Sequence, residues 1–479
     1  MRWALLLLLL LLTAACTRSE TASRPPWLSA CELAGVHRTA LCGRFDVYED
    51  RRAGAGRRIG LNVAVIPATS RAEPDPIVFF AGGPGDDAVD AGPFVVGMLG
   101  DPRSRDIVLI DQRGTGGSGV LTCPLYSGTG IARFTGAFMP LDAVRECRDR
   151  LSRTADLRHY TSSIAVDDVA EVLTALGYDR VNLFGGSYGT RMAQVFLRQH
   201  PKRVRSVILQ GVTTMRDRIP IGFARSAQRA FDRLLAECEA TPDCRAVFPR
   251  LRSDAATVFD RARRGSIDVV VTDPSTDADA SVAMPGDMVG EVVRWMMYSP
   301  RAARRVPALL HRAATGDWRP LAEAAIRERR AIMAPNSMGL YLSVTCAEDL
   351  PGSDADAAKR LAEGTYLGDY RYREQRAACE EWVAGAVPQD FHTDVVSDVP
   401  ALLVSGALDP VTPPESGEAV AARLENSLHL VVPFGAHGTG GLQDNGCLAR
   451  LLREFVERGT VAGLDTACVA QIRPPALER

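Results

Sequence analysis

Runs of consecutive apolar residues recur along the first half of the chain, each cut off by a turn rich in glycine. Residues 59–66 are mostly apolar, Ile77–Phe80 wholly so, and Ile107–Ile110 lies between two aspartates. Val181-Asn182-Leu183-Phe184 and residues 206–211 continue the series. Stretches at 167–176 and 190–199 carry helical spacing instead. Strands that are apolar throughout, rather than alternating, are buried on both faces. The pattern therefore predicts a mostly parallel sheet with helices on both sides. From 216 to 395 the character changes. Ala/Arg/Glu/Leu segments at helical period occupy 225–239, 288–297 and 321–333, with one further strand at 267–272. The sheet pattern returns at 400–406 and 427–432, and an amphipathic helix at 449–457 closes the chain. The predicted architecture is a core in two segments, 31–215 and 396–479, with a mostly helical cap inserted at 216–395. An insertion between two core strands is placed to act as a lid.

The glycine-rich stops hold the chemistry. Gly185-Gly186-Ser187-Tyr188-Gly189 follows an apolar strand and precedes a helix-compatible stretch. That order is a nucleophile elbow, a strained turn that lifts a serine hydroxyl above the end of a sheet. A serine needs an adjacent base, and the base needs an orienting acid. Both occur later, each just past a strand. Asp409 stands in Leu408-Asp409-Pro410-Val411-Thr412-Pro413, and His437 in Gly435-Ala436-His437-Gly438. Of the seven histidines only His429 and His437 follow the Asp409 strand, and His429 falls inside the next strand as a packing residue. His437 is the expected base and Asp409 the expected acid. Two backbone N–H groups must also face the developing oxyanion. Tyr188 supplies one, and the loop Gly82-Gly83-Pro84-Gly85 the other, through Gly83 ahead of Gly82.

The first residues alter where this chemistry takes place. Arg2 and the apolar residues 4–12 make residues 1–16 a targeting segment, too short to span a bilayer. Thr13-Ala14-Ala15-Cys16 resembles a lipobox, which would put a lipid on Cys16; ordinary signal cleavage near Ala15 is the alternative. Residues 17–30, with Pro25 and Pro26, are expected to form a tether. The eleven cysteines fit export. Without Cys16, ten remain, falling into near-neighbour couples: 31 with 42, 123 with 147, 238 with 244, 346 with 379, and 447 with 468. Other connectivities stay open from sequence alone. No Cys-x-x-Cys or His-rich spacing points to a metal, and the chemistry calls for no cofactor. Lys and Arg total 56 against 58 Asp and Glu, a balance that gives no electrostatic case for nucleic acid. Membrane contact is expected only through a lipid anchor.

Taken together, Gly82–Gly85, Asp111-Gln112-Arg113-Gly114, the Ser187 elbow, the Asp409 loop and the His437 loop resemble the prolyl iminopeptidase/tripeptidyl aminopeptidase family of α/β-hydrolases. The carboxyl-terminal part resembles its tripeptidyl-aminopeptidase (TAP)-like domain. The resemblance implies an α/β-hydrolase fold and a serine exopeptidase acting on peptides with a free N-terminus. The family's opening motif begins with His in prolyl iminopeptidases, whereas Ala81 stands here, which favours the secreted tripeptidyl branch. Family members bind the substrate amine with acidic lid residues, so Glu348 and then Asp349 are the expected amine ligands. An esterase or lipase on the same fold, or a non-catalytic binding lipoprotein, are the rival expectations.

Overall fold

A computed structural model describes residues 25–476 except 71, 101–102, 127–129, 274–275 and 334–336. The leader and Cys16 lie outside the described residues. Nine strands form one sheet in the order β1-β2-β3-β5-β4-β6-β7-β10-β11. They are β1 (Leu28–Cys31), β2 (Ala40–Tyr48), β3 (Arg58–Ile66), β4 (Ile77–Phe80), β5 (Ile107–Ile110), β6 (Val181–Gly186), β7 (Val204–Gln210), β10 (Ala401–Gly406) and β11 (Ser427–Val432). The first three are antiparallel; from β5 to β11 every pairing is parallel. Parallel neighbours need crossovers, and helices supply them. These are α1 (Gly92–Leu99), α2 (Leu141–Leu151), α3 (Ser162–Ala175) and α4 (Tyr188–Gln199), with α15 (Pro414–Ala421) after the insertion; α16 (Gly446–Arg458) follows the last strand.

Strand side chains alternate between two apolar layers. Val78, Phe80, Val108, Ile110 and Leu183 pack with α3 and α4, whereas Ile77, Phe79, Ile107, Leu109 and Phe184 pack with α1 and α16. This double burial is why the strands read as continuous apolar runs. Leu448, Leu451, Leu452 and Phe455 form the buried stripe of α16. At roughly 1.5–3 kcal/mol each relative to exposure, they suffice to dock it against the sheet.

Two boundaries differ from the sequence expectation. Leu28–Ala30, read as tether, belong to β1, which pairs with β2 and is bridged to it by Cys31–Cys42. The span 216–395 is not one unit. Its first part contains α5 (Phe223–Ala240), α6 (Pro242–Val247), α7 (Leu251–Arg263), a hairpin of β8 (Ile267–Thr272) and β9 (Asp279–Met284), α8 (Gly286–Met296), α9 (Pro300–Ala303), α10 (Val306–Ala314) and α11 (Arg319–Met333). From Ala230 to Ile326 these elements build an apolar core of their own. Its second part, α12 (Met338–Glu348), α13 (Ala355–Ala362) and α14 (Tyr370–Glu381), packs Leu340, Leu342, Val344, Tyr370 and Ala378 into the same layer as α3 and α4. Helical period reveals an apolar face but not what that face will meet.

Candidate active site

Ser187 lies between the end of β6 and the first residue of α4, at φ 55° and ψ −123°. A non-glycine residue holds such a conformation only where its surroundings impose it. Here the flanking glycines allow the approach. A Cβ on Gly189 would sit 2.0 Å from the Phe80 carbonyl oxygen, and one on Gly185 would sit 2.4 Å from that of Gly189. The turn can therefore lie against β4 only with glycine at both positions.

His437 Nε2 is 2.8 Å from Ser187 Oγ, and His437 Nδ1 is 2.9 Å from Asp409 Oδ2. Asp409 is wholly buried. Burial alone would raise its pKa, yet the His437 ring and hydrogen bonds from Thr412 outweigh it and hold the carboxyl below its usual range. The ionised carboxylate only accepts, so Nδ1 must carry the proton and Nε2 is left to accept from the serine hydroxyl. The Asp409 carboxylate is fixed by the N–H groups of Val411 and Thr412, at 2.8 and 2.9 Å, and by the Thr412 hydroxyl at 2.7 Å. Thr412 Oγ1 also lies 3.1 Å from His437 Nδ1. Its position inside the Asp409 motif was the available sequence signal, although spacing assigned it no part.

The structure brings the Gly82–Gly85 loop to the same point. A Cβ on Gly82 would lie 3.3 Å from Ser187 Cβ. Gly83 lines the cavity above the serine. Tyr188 opens α4, where backbone N–H groups lack an intrahelical acceptor. The Tyr188 side chain turns inward, its hydroxyl 2.7 Å from Ser162 Oγ and 3.3 Å from Gln112 Nε2. Behind Gln112, Arg113 is buried in an ion pair with Asp168, and Asp111 accepts from Asn62, Val89 and Gly117. That motif braces the site rather than facing the cavity.

Glu348 and Asp349 are not where an amine ligand must be. Both are buried, and neither lines the cavity. Glu348 accepts from the Ser162 N–H at 2.6 Å and the Ser162 hydroxyl at 2.8 Å. Asp349 accepts from Arg191 at 2.9 Å and from the Ile219 N–H at 3.1 Å. A buried carboxylate requires such partners; Asp349 Oδ2 has none among the described residues, but it is buried and does not line the cavity. Glu348 ties the end of α12 to the first residue of α3, and Asp349 ties it to Arg191 of α4.

A cavity of about 820 Å³ opens over Ser187 and His437. Its far walls come from the insertion, including Phe223, Trp295, Tyr298, Tyr341 and Arg371. Two insertion residues also touch the loops that carry the acid and the base. The Tyr298 ring meets the His437 ring edge-on at 4.9 Å, and the Tyr298 carbonyl accepts from the Gly438 N–H at 3.1 Å. Arg229, on α5, donates to the carbonyl oxygens of Ala407 and Asp409. Nothing in the sequence pattern singled out either residue.

The fold and this constellation define a serine hydrolase of the α/β-hydrolase class. Comparison with known proteins agrees. The α/β hydrolase fold family matches residues 75–252, and the TAP-like protein family matches 365–468, beginning upstream of the boundary expected at 396. The chain is 25% identical to serine protease Hip1 of Mycobacterium tuberculosis, across 90% of this chain and 87% of that one. It is 21% identical to the putative hydrolase YuaR of Escherichia coli, across 74% and 72%. A proline iminopeptidase of Xylella fastidiosa is 27% identical across 29% of this chain and 33% of its own. These matches bear out the resemblance to the prolyl iminopeptidase/tripeptidyl aminopeptidase family of α/β-hydrolases.

Proposed function

We propose that the protein is an exported serine exopeptidase that releases residues from the free N-terminus of peptides. The hydrogen-bonded line from Ser187 through His437 to Asp409, at the floor of a cavity walled by the insertion, carries this reading. Ser187 attacks the scissile carbonyl while His437 Nε2 takes its proton. Asp409 holds the ring and stabilises the imidazolium. The N–H groups of Gly83 and Tyr188 receive the oxyanion. His437 then protonates the leaving amine, and water releases the acyl group by the same steps in reverse. The peptide preference is supported by the relationship to a serine protease and to proline iminopeptidases. Export is supported by the leader-like first residues and by five disulfides: Cys31–Cys42, Cys123–Cys147, Cys238–Cys244, Cys346–Cys379 and Cys447–Cys468. Cys16 is the proposed point of lipid attachment.

The test uses matched chromogenic peptide amides, one set with free and one with acetylated N-termini. Wild-type protein should cleave the free set preferentially, and Ser187→Ala should lower kcat by roughly 10⁴-fold or more. Turnover surviving in Ser187→Ala would refute the mechanism. Equal cleavage of both sets would refute the exopeptidase assignment and favour an esterase-type serine hydrolase.

A further inference from the structure

An N-terminal exopeptidase needs an anion for the substrate ammonium, and Glu348 and Asp349 are buried outside the cavity. Three other carboxylates line the cavity: Asp86, Asp217 and Glu415. Asp217 is occupied by the Thr214 N–H at 2.8 Å, and Glu415 faces Arg229 at 3.7 Å. Asp86 has no hydrogen bond or ion pair to its side chain among the described residues. It directly follows the Gly82–Gly85 loop, and its side chain is exposed where the cavity runs beside Ser187 and His437. A Cβ on Gly82 would lie 3.2 Å from Asp86 Oδ2 and 3.3 Å from Ser187 Cβ. The carboxylate and the nucleophile thus flank the same glycine. The protein walls around Asp86 raise its pKa, and His437 only partly opposes them. A carboxylate so placed gains from a cation that a ligand supplies.

Position then selects which cation. The α-nitrogen of an aminoacyl group is two bonds from the carbonyl that Ser187 attacks. Each further residue carries the terminus about 3.3–3.6 Å away, so a tripeptide's ammonium falls about 7 Å beyond that of a single residue. Building on the serine exopeptidase reading, we infer that Asp86 binds the protonated α-amino group of the very residue being acylated, so that this enzyme releases one residue at a time. The anchor comes from the core loop that supplies the Gly83 N–H, not from the insertion.

The experiment compares wild type, Asp86→Asn and Asp86→Glu on an aminoacyl p-nitroanilide, its N-acetyl analogue and a tripeptidyl p-nitroanilide. Mass spectrometry reads the products from a free pentapeptide. Losing a charge-assisted contact should raise KM for the aminoacyl amide about 10- to 100-fold in Asp86→Asn, with a much smaller change in kcat. Asp86→Glu should recover part of that loss, and wild type should shed single residues in succession. Melting temperatures establish that the variants fold. If Asp86→Asn is unfolded, Asp86→Glu and the product ladder decide instead. A folded Asp86→Asn with unchanged KM, or wild-type products that are tripeptides only, would overturn the inference and leave the exopeptidase reading standing. Wild-type protein that ignores acetylation would overturn both.

Discussion

At the scale of single residues, Glu348 shows most clearly what a sequence conceals. Ser187, Asp409 and His437 were legible because each follows an apolar strand, and a strand end restricts where a side chain can go. Glu348 and Asp349 end α12, where spacing alone cannot tell an inward carboxylate from one facing a cavity. Their partners, Arg191 and Ser162, are far away in sequence and become neighbours only through the fold. The buried Glu348 has a measurable consequence. Burial, partly offset by Arg191, pushes its pKa up to about 7 from an ordinary 4.5. Between those values the folded chain holds the proton more tightly than the unfolded chain. The contribution of Glu348 to stability is therefore full below about pH 4.5 and is lost as pH rises through about 7. Glu348→Gln removes this titration. Its melting temperature should gain on that of wild type between pH 5 and pH 8, as followed by thermal denaturation. A constant gap across that range would show that Glu348 does not titrate there.

At the scale of elements, the insertion reaches back to the loops beneath it. Tyr298, just beyond α8, rests its ring against His437 while its hydroxyl accepts from Arg294 at 2.8 Å. That ring restricts the tilt of the imidazole, and small misplacement of a base costs rate steeply. Tyr298→Ala should lower kcat about tenfold, whereas Tyr298→Phe, which keeps the ring, should stay within about threefold of wild type. Steady-state kinetics on one good substrate checks both; equal losses would locate the effect in the hydroxyl. The core strands were legible because burial on both faces leaves them mostly apolar, with few polar positions such as Asn182. β9 was not: Asp279–Met284 alternates exposed and buried positions and owes its pairing to β8. The division of the insertion was equally hidden. Helical period alone does not separate its helices, and only the fold sends one set into a separate core and the other against α3 and α4.

At the scale of the whole molecule, location and stability meet in the cysteines. In the chain-entropy picture a bridge closing a loop such as Cys123–Cys147 or Cys346–Cys379 contributes roughly 3–4 kcal/mol, comparable to a sizeable part of a domain's net stability. Such bridges form and persist by default in oxidising compartments. No helix among the described residues is long and apolar enough to cross a membrane; the proposed attachment is a lipid on Cys16. Metabolic labelling with a fatty acid should mark the wild-type chain and leave Cys16→Ala unmarked. An unlabelled wild type, or a labelled variant, would remove the lipid from the account.

The five bridges share one further property: with Cys16 set aside, each joins a cysteine to the next one along the chain, and no two loops interleave. A polypeptide emerging from a secretion channel N-terminus first presents its thiols in that same order. An oxidant that links each newly arrived thiol to the one still waiting leaves behind the native set. For a chain exported as proposed, correct connectivity is thus written into the order of arrival, and reshuffling by an isomerase becomes a repair step instead of a requirement.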